Sequence, residues 1–190
     1  MIEKWKRGPT KSNFHVIFRV LEEQYAMPKV QAQIELGLDS EKLYLAFVGG
    51  LIQIKRPDRL IAIAAELTKD FPKVHLLVAG ASGLFGSTKS ATESQGLLMT
   101  FYGCSADDAP ILSAPYIEVI CSDNKGIPLT LIEAAQAGFP IVSKDVRSVR
   151  DTVVHQGSGI LVECSSAKLQ NGKRVLIKIL DLRARFKRYR

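Results

Sequence analysis

The chain is poor in the features that would commit it to a special environment. No apolar run approaches the ~18–20 residues needed to cross a bilayer. The first residues, MIEKWKRGPTKS, are charged and have no secretory apolar core. Cysteine is scarce: Cys104, Cys121 and Cys164 are widely spaced, odd in number and without nearby histidine pairs. That pattern excludes a disulfide framework, argues against a metal site, and gives a reduced cytoplasmic setting with structural thiols as the default. The three histidines (His15, His75, His155) lie far apart and form no readable triad with a serine or cysteine, so structural roles are expected for all three. No internal repeat or low-complexity segment is present.

What is there reads as an ordinary globular chain: 190 residues, 46% hydrophobic and 24% charged. Its length fits one domain with an appended segment. The net charge of +7 belongs to the tail. From Lys173 to Arg190 there are eight basic residues against Asp181 alone, leaving the rest of the chain neutral. Val175, Leu176, Ile179, Leu180, Leu182 and Phe186 recur there at roughly helical spacing, so residues 167–190 are expected to form a basic amphipathic helix. Two readings of it stay open. It docks on the domain with its charged face solvated, or it contacts anionic headgroups at the inner face of a membrane. Nucleic acid is not an expected partner, because no aromatic-interleaved basic patch accompanies the tail.

Residues 1–40 read as a linker and partial N-terminal segment, with a strand or short helix near Phe14–Leu21 and a helix over Lys29–Leu36 ended by Gly37. The pattern then becomes regular. LYLAFVG (Leu43–Gly49), VHLLVAG (Val74–Gly80), LLMTFYG (Leu97–Gly103), YIEVICS (from Tyr116), PIVSKD (Pro140–Asp145) and GILVE (Gly159–Glu163) are short apolar runs with the length and turn boundaries of buried strands. Helices are expected over Asp58–Leu67, begun by Pro57, and near Asp107–Leu112, Leu129–Ala137 and Ser148–Val154. Alternation of this kind implies an α/β, Rossmann-like parallel sheet with helices on both faces, occupying residues 41–166.

The stretch Tyr116–Pro140 carries the most chemistry. A buried strand ends in Ser122, Asp123, Asn124, Lys125 and Gly126; Pro128 suits the first turn of a helix, and Gly138 with Pro140 ends that helix. Free N–H groups and the helix dipole at such a turn favour a phosphate-bearing ligand. A second glycine cluster, Gly80–Gly86, has dinucleotide-fingerprint spacing. The segment after it, STKSATESQG, has almost no apolar residues and no acidic ribose ligand follows the next strand, so Gly80–Gly96 is expected to be a flexible surface loop rather than a NAD site.

The order FVGGLIQIKRPDRLIAIAAEL, VHLLVAG, FYG, SDNKGIPLTLIEAAQAGFPIVSKDVRSVRD and GSGILVE resembles the C-terminal domain of group 1 (family 4) glycosyltransferases of the GT-B fold. The resemblance covers roughly Lys29 to the end. It implies binding of a nucleoside-diphosphate sugar as donor substrate, with no cofactor or metal, and transfer with retention. Glu133 matches the second glutamate of the family's paired-glutamate motif, which holds the ribose hydroxyls; a carboxylate accepts from two adjacent hydroxyls. Lys55 matches a lysine on the diphosphate. Gly126, Ile127, Pro128, Leu129 and Thr130 match the loop that cups the phosphates and sugar, and Gly49 and Gly50 end a strand against the crevice. No catalytic residue can be assigned.

Four positions depart from the family pattern. Gly50 stands where an arginine usually grips the diphosphate. Lys125 replaces the first glutamate of the pair, and Arg147 and Ser148 replace a glycine pair. Lys125 or Arg147 is therefore expected to restore the cation lost at Gly50; the competing account is decay into an inactive nucleotide- or partner-binding module. A GT-B enzyme closes its cleft with a second Rossmann-like half, and too few residues precede Leu43 to build it. The chain is thus expected to be a fragment, a truncated form or one subunit of a split enzyme, needing an N-terminal domain or partner subunit for turnover.

Overall fold

The computed structural model describes residues 27–104, 109–123, 129–136, 140–145, 149 and 159–162. Six strands form one sheet: β1 (Leu43–Val48), β2 (Val74–Ala79), β3 (Met99–Gly103), β4 (Ile117–Ile120), β5 (Ile141–Lys144) and β6 (Gly159–Val162). Every pairing between these strands is parallel, in the order β3-β2-β1-β4-β5-β6. The chain runs outward from β1 in one direction, then returns to lay β4 on β1's other edge. Crossing back leaves a crevice where the connections leaving β1 and β4 diverge, at the carboxyl ends of the two strands.

Helices cover both faces, which is why these strands read as continuous apolar runs. On one face, α2 (Pro57–Asp70) packs Leu60, Ala64 and Leu67 onto Leu45, Phe47, Leu76, Val78, Ile117 and Val119. Those three α2 positions share one helical face, and each buried leucine contributes roughly 1.5–3 kcal/mol. Pro57 opens the helix, with Asp58 in the first turn and Lys69 in the last, as the helix dipole favours.

The other face carries α1 (Lys29–Glu35), α4 (Ala109–Ser113) and α5 (Leu129–Gln136). There Tyr44 and Leu77 meet Ala32 and Ala114, while Ile120 and Ile141 meet Leu131 and Ala134. Gln33 secures α1 by donating from Nε2 to the Ala114 carbonyl at 3.2 Å, and Gly37 ends the helix at φ +62°. The expected helix at Lys29–Leu36 therefore belongs to the packed domain.

One expectation fails. Gly80–Gly96 is not a flexible surface loop, because Phe85–Ser94 forms a helix, α3. Apolar periodicity is absent there, but Thr88 and Thr92 are buried all the same. A threonine can do this when its methyl packs inward and its hydroxyl bonds back to the helix; Thr92 donates to the Lys89 carbonyl at 2.7 Å. Phe85 closes the end of the helix edge-on against Phe101 of β3, with ring centroids 5.6 Å apart. Among the described residues no helix is long and apolar enough to cross a membrane. The expected element near Phe14–Leu21, most of Ser148–Val154 and the basic tail lie outside the described residues.

Candidate functional site

The crevice floor is built from backbone that approaches too closely for side chains. Gly49 leaves β1 at φ +141° and donates to the Ala79 carbonyl at 2.8 Å. Gly80 leaves β2 at φ +125°, and a Cβ there would overlap the Gly49 carbonyl. Gly50 sits beside the β2–α3 connection: a Cβ on it would lie 2.9 Å from the Ser82 hydroxyl oxygen and 3.4 Å from the Ala81 carbonyl.

The connections leaving β1 and β4 are stitched together. The Ile54 carbonyl accepts from the Asp123 N–H at 3.0 Å and from the Ser122 hydroxyl at 3.2 Å. Asp123 gathers three cations. Arg59 donates to it at 2.7 Å and Arg56 at 2.9 Å, and Lys144, from the end of β5, makes the third contact. The Arg59 guanidinium, followed by the Lys144 ammonium, holds the Asp123 carboxyl well below the usual range. Arg56 takes the left-handed conformation, φ 56°, unusual for a side-chain-bearing residue. Its guanidinium is held from both sides by Asp58 and Asp123, which raises its already high pKa further.

On the α5 side of β4 lies a different arrangement. Glu118 is 3% exposed, and neither carboxylate oxygen has a hydrogen-bond partner of ordinary geometry among the described residues. Burial, with the negative charge of Glu133 adding to it, pushes the Glu118 carboxyl up to about 8. The Thr130 hydroxyl and the Lys55 ammonium act the other way and do not offset burial. Glu118 thus has Lys55, Thr130 and Glu133, three residues expected at the site from sequence, as its electrostatic neighbours.

The sequence-derived set divides accordingly. Gly49, Gly50 and Lys55 lie on the β1 exit, Lys55 ending the short 3-10 turn Gln53–Lys55. Leu129 begins α5, and Thr130 and Glu133, one helical turn apart, are half-buried on it. Lys125, Gly126, Ile127 and Pro128 lie outside the described residues, as does Arg147. Sequence reasoning missed Asp123, Arg56, Arg59, Lys144 and Glu118. Only Glu118 carried a signal, a lone acid within the apolar run YIEVIC. Among the described residues no cluster of three or more His, Cys, Asp or Glu could hold a metal.

A doubly wound parallel sheet with cations and carboxylates at its switch point defines a Rossmann-like domain. The model of the family described as "Glycosyl transferases group 1" matches residues 30–190, and the chain belongs to that family. It is 31% identical over 143 residues to the D-inositol 3-phosphate glycosyltransferase of Segniliparus rotundus, covering 71% of this chain and 32% of that protein. The chain thus spans about a third of the length of the curated relatives it matches. Among solved structures it resembles the C-terminal domain of the group 1 protein LpcC from Francisella tularensis, with TM-score 0.71 at 20% identity, covering 86% of this chain and 90% of that one. It also resembles HepE of Anabaena, solved with UDP and glucose, with TM-score 0.68 at 21% identity and coverage of 87% and 48%.

Proposed function

We propose that this domain binds the nucleoside-diphosphate sugar donor of a hexose-transferring glycosyltransferase, with turnover requiring a second, N-terminal half. The observation that carries the reading is that Lys55 ends the turn on the β1 exit while Thr130 and Glu133 lie in the first turns of α5, the two connections that frame the switch point of a group 1 chain. Glu133 offers acceptors to the two ribose hydroxyls and Lys55 a cation to the diphosphate, where charge accumulates as the sugar leaves. Binding of UDP and glucose by HepE supports this class of ligand. Isothermal titration with UDP, GDP and ADP tests the reading. Saturable binding of at least one is expected; no detectable binding of any of them overturns it.

A second reading, an inactive nucleotide- or partner-binding module on the same fold, is favoured by one observation. The place of the family's arginine is not only changed to Gly50 but crowded by Ser82. The basic tail supports a further element of the proposal from sequence alone, contact with an anionic membrane surface that carries the acceptor. Sedimentation with phosphatidylserine-containing vesicles tests it; equal recovery with neutral vesicles overturns it.

A further inference from the structure

Glu118 occupies a place that packing alone would give to an apolar residue. It lies on a four-residue strand whose residues are all buried, between Ala46 of β1 and Ile141 of β5 in the sheet register, and under α5. A carboxyl group here loses its hydration and, among the described residues, gains no well-formed hydrogen bond in return. The polar groups that act on it come from two elements: Thr130 and Glu133 from α5, and Lys55 from the connection after β1. On β5 the nearby buried Ser143 hydroxyl is spent on the Lys144 carbonyl at 3.0 Å. Every described group that acts on Glu118 therefore belongs to the site proposed above for the donor.

Resting on that donor-binding reading, we propose that Glu118 is a positioning residue for Glu133. As a neutral acid it supports the turn of α5 that carries Thr130 and Glu133; as a carboxylate it repels both Glu133 and an incoming anionic donor. Two neighbouring carboxyl groups with one in a dry environment divide their labour, the buried one keeping the proton and the other the charge. The charged member is then Glu133, the one that must accept hydrogen bonds from hydroxyls. Burial and the Glu133 charge place the change of state near pH 8, so the domain binds donor best below that pH. The two ionisations are coupled, so neutralising one member moves the other.

The test compares the chain with Glu118→Gln, which stays neutral at every pH. Affinity for UDP, GDP and ADP is measured by calorimetry from pH 7 to 9.5. The original chain is expected to lose about tenfold or more in affinity across this range relative to the variant, while the two bind within about threefold of each other at pH 7. Parallel profiles overturn the proposal, since any titration of the nucleotide itself is common to both proteins. Absence of binding at every pH in both proteins overturns the donor-binding reading instead. The pairing is then read directly, from the side-chain carboxyl shift of Glu118 in 13C-glutamate-labelled chain with and without Glu133→Gln. A fall in the Glu118 midpoint on neutralising Glu133 supports the pairing, and an unmoved midpoint overturns it.

Discussion

Asp123 accepts a 2.7 Å hydrogen bond from Arg59, which lies 64 positions earlier in the chain. The same guanidinium nitrogen reaches the Cys121 carbonyl at 3.1 Å. Arg59 stands on the first turn of α2 and Asp123 just past the end of β4, so the pair fixes the distance between the two strand exits that frame the crevice. A backbone bond from Asp123 to Ile54 and the contact from Lys144 complete the tie.

Asp123→Asn is expected to cost about 1–2 kcal/mol at neutral pH, discounted for a side chain a third exposed. The carboxyl is held below its usual range, so its contribution is full above about pH 4 and is lost as the pH falls through the lowered folded-state value. Urea unfolding at pH 7 and at pH 3 checks this: the gap between the two proteins should shrink at the lower pH.

Glu118 reverses the sign. Its folded-state value is raised from 4.5 to about 8, so the unfolded chain releases this proton first and stability falls as the pH climbs between those limits. Glu118→Gln should therefore gain on the original chain across that window, by an amount on the order of 4 kcal/mol, and hold constant above it. Unfolding midpoints at pH 5, 7 and 9 supply the comparison.

Gly80→Ala is expected to destabilise the domain by at least about 2 kcal/mol, because the new methyl runs into the Gly49 carbonyl and φ is +125°. Gly83→Ala, in the same connection but with open space around it, should change stability by less than about 0.5 kcal/mol. Thermal unfolding of the two variants separates a close backbone approach from mere loop sequence.

For the ligand, Glu133→Ala should weaken nucleoside-diphosphate binding by roughly tenfold or more, and Lys55→Ala by a smaller factor, about three- to tenfold. Joining Ser82→Gly to Gly50→Arg relieves the crowding and restores the family's cation; tighter binding of the diphosphate by that double variant would favour the donor reading over the inactive module. Calorimetric titration reads all three.

Much of the fold was legible because a parallel sheet buried on both faces leaves apolar runs bounded by turns. All six strands lie where those runs fall, and the Pro57 and Gly37 signals mark helix ends. α3 was not legible, since a helix buried through threonine methyls and one phenylalanine leaves no apolar stripe. At the candidate site, the family resemblance pointed to Lys55, Thr130 and Glu133. The Asp123 cluster depends on residues far apart along the chain, whose meeting is decided by strand order and not by any spacing in the sequence. Glu118 could be seen as an acid in a strand, but its burial beside Glu133 follows only from how α5 lies on β4.

The sheet order has a consequence for how the crevice comes into being. Arg56 and Arg59 are supplied by the half of the domain that precedes β2, while Asp123 and Lys144 come from the half that follows β3. As the chain emerges during synthesis, β1, β2 and β3 can pair early, with two guanidinium groups waiting at the rim. The crevice rim is complete only once β4 lies at β1's free edge and brings the carboxylate to them. Asp123 therefore ties the later half of the chain to the earlier one: its carboxylate adds to the Arg56–Asp58 pair and engages Arg59 from across the switch point.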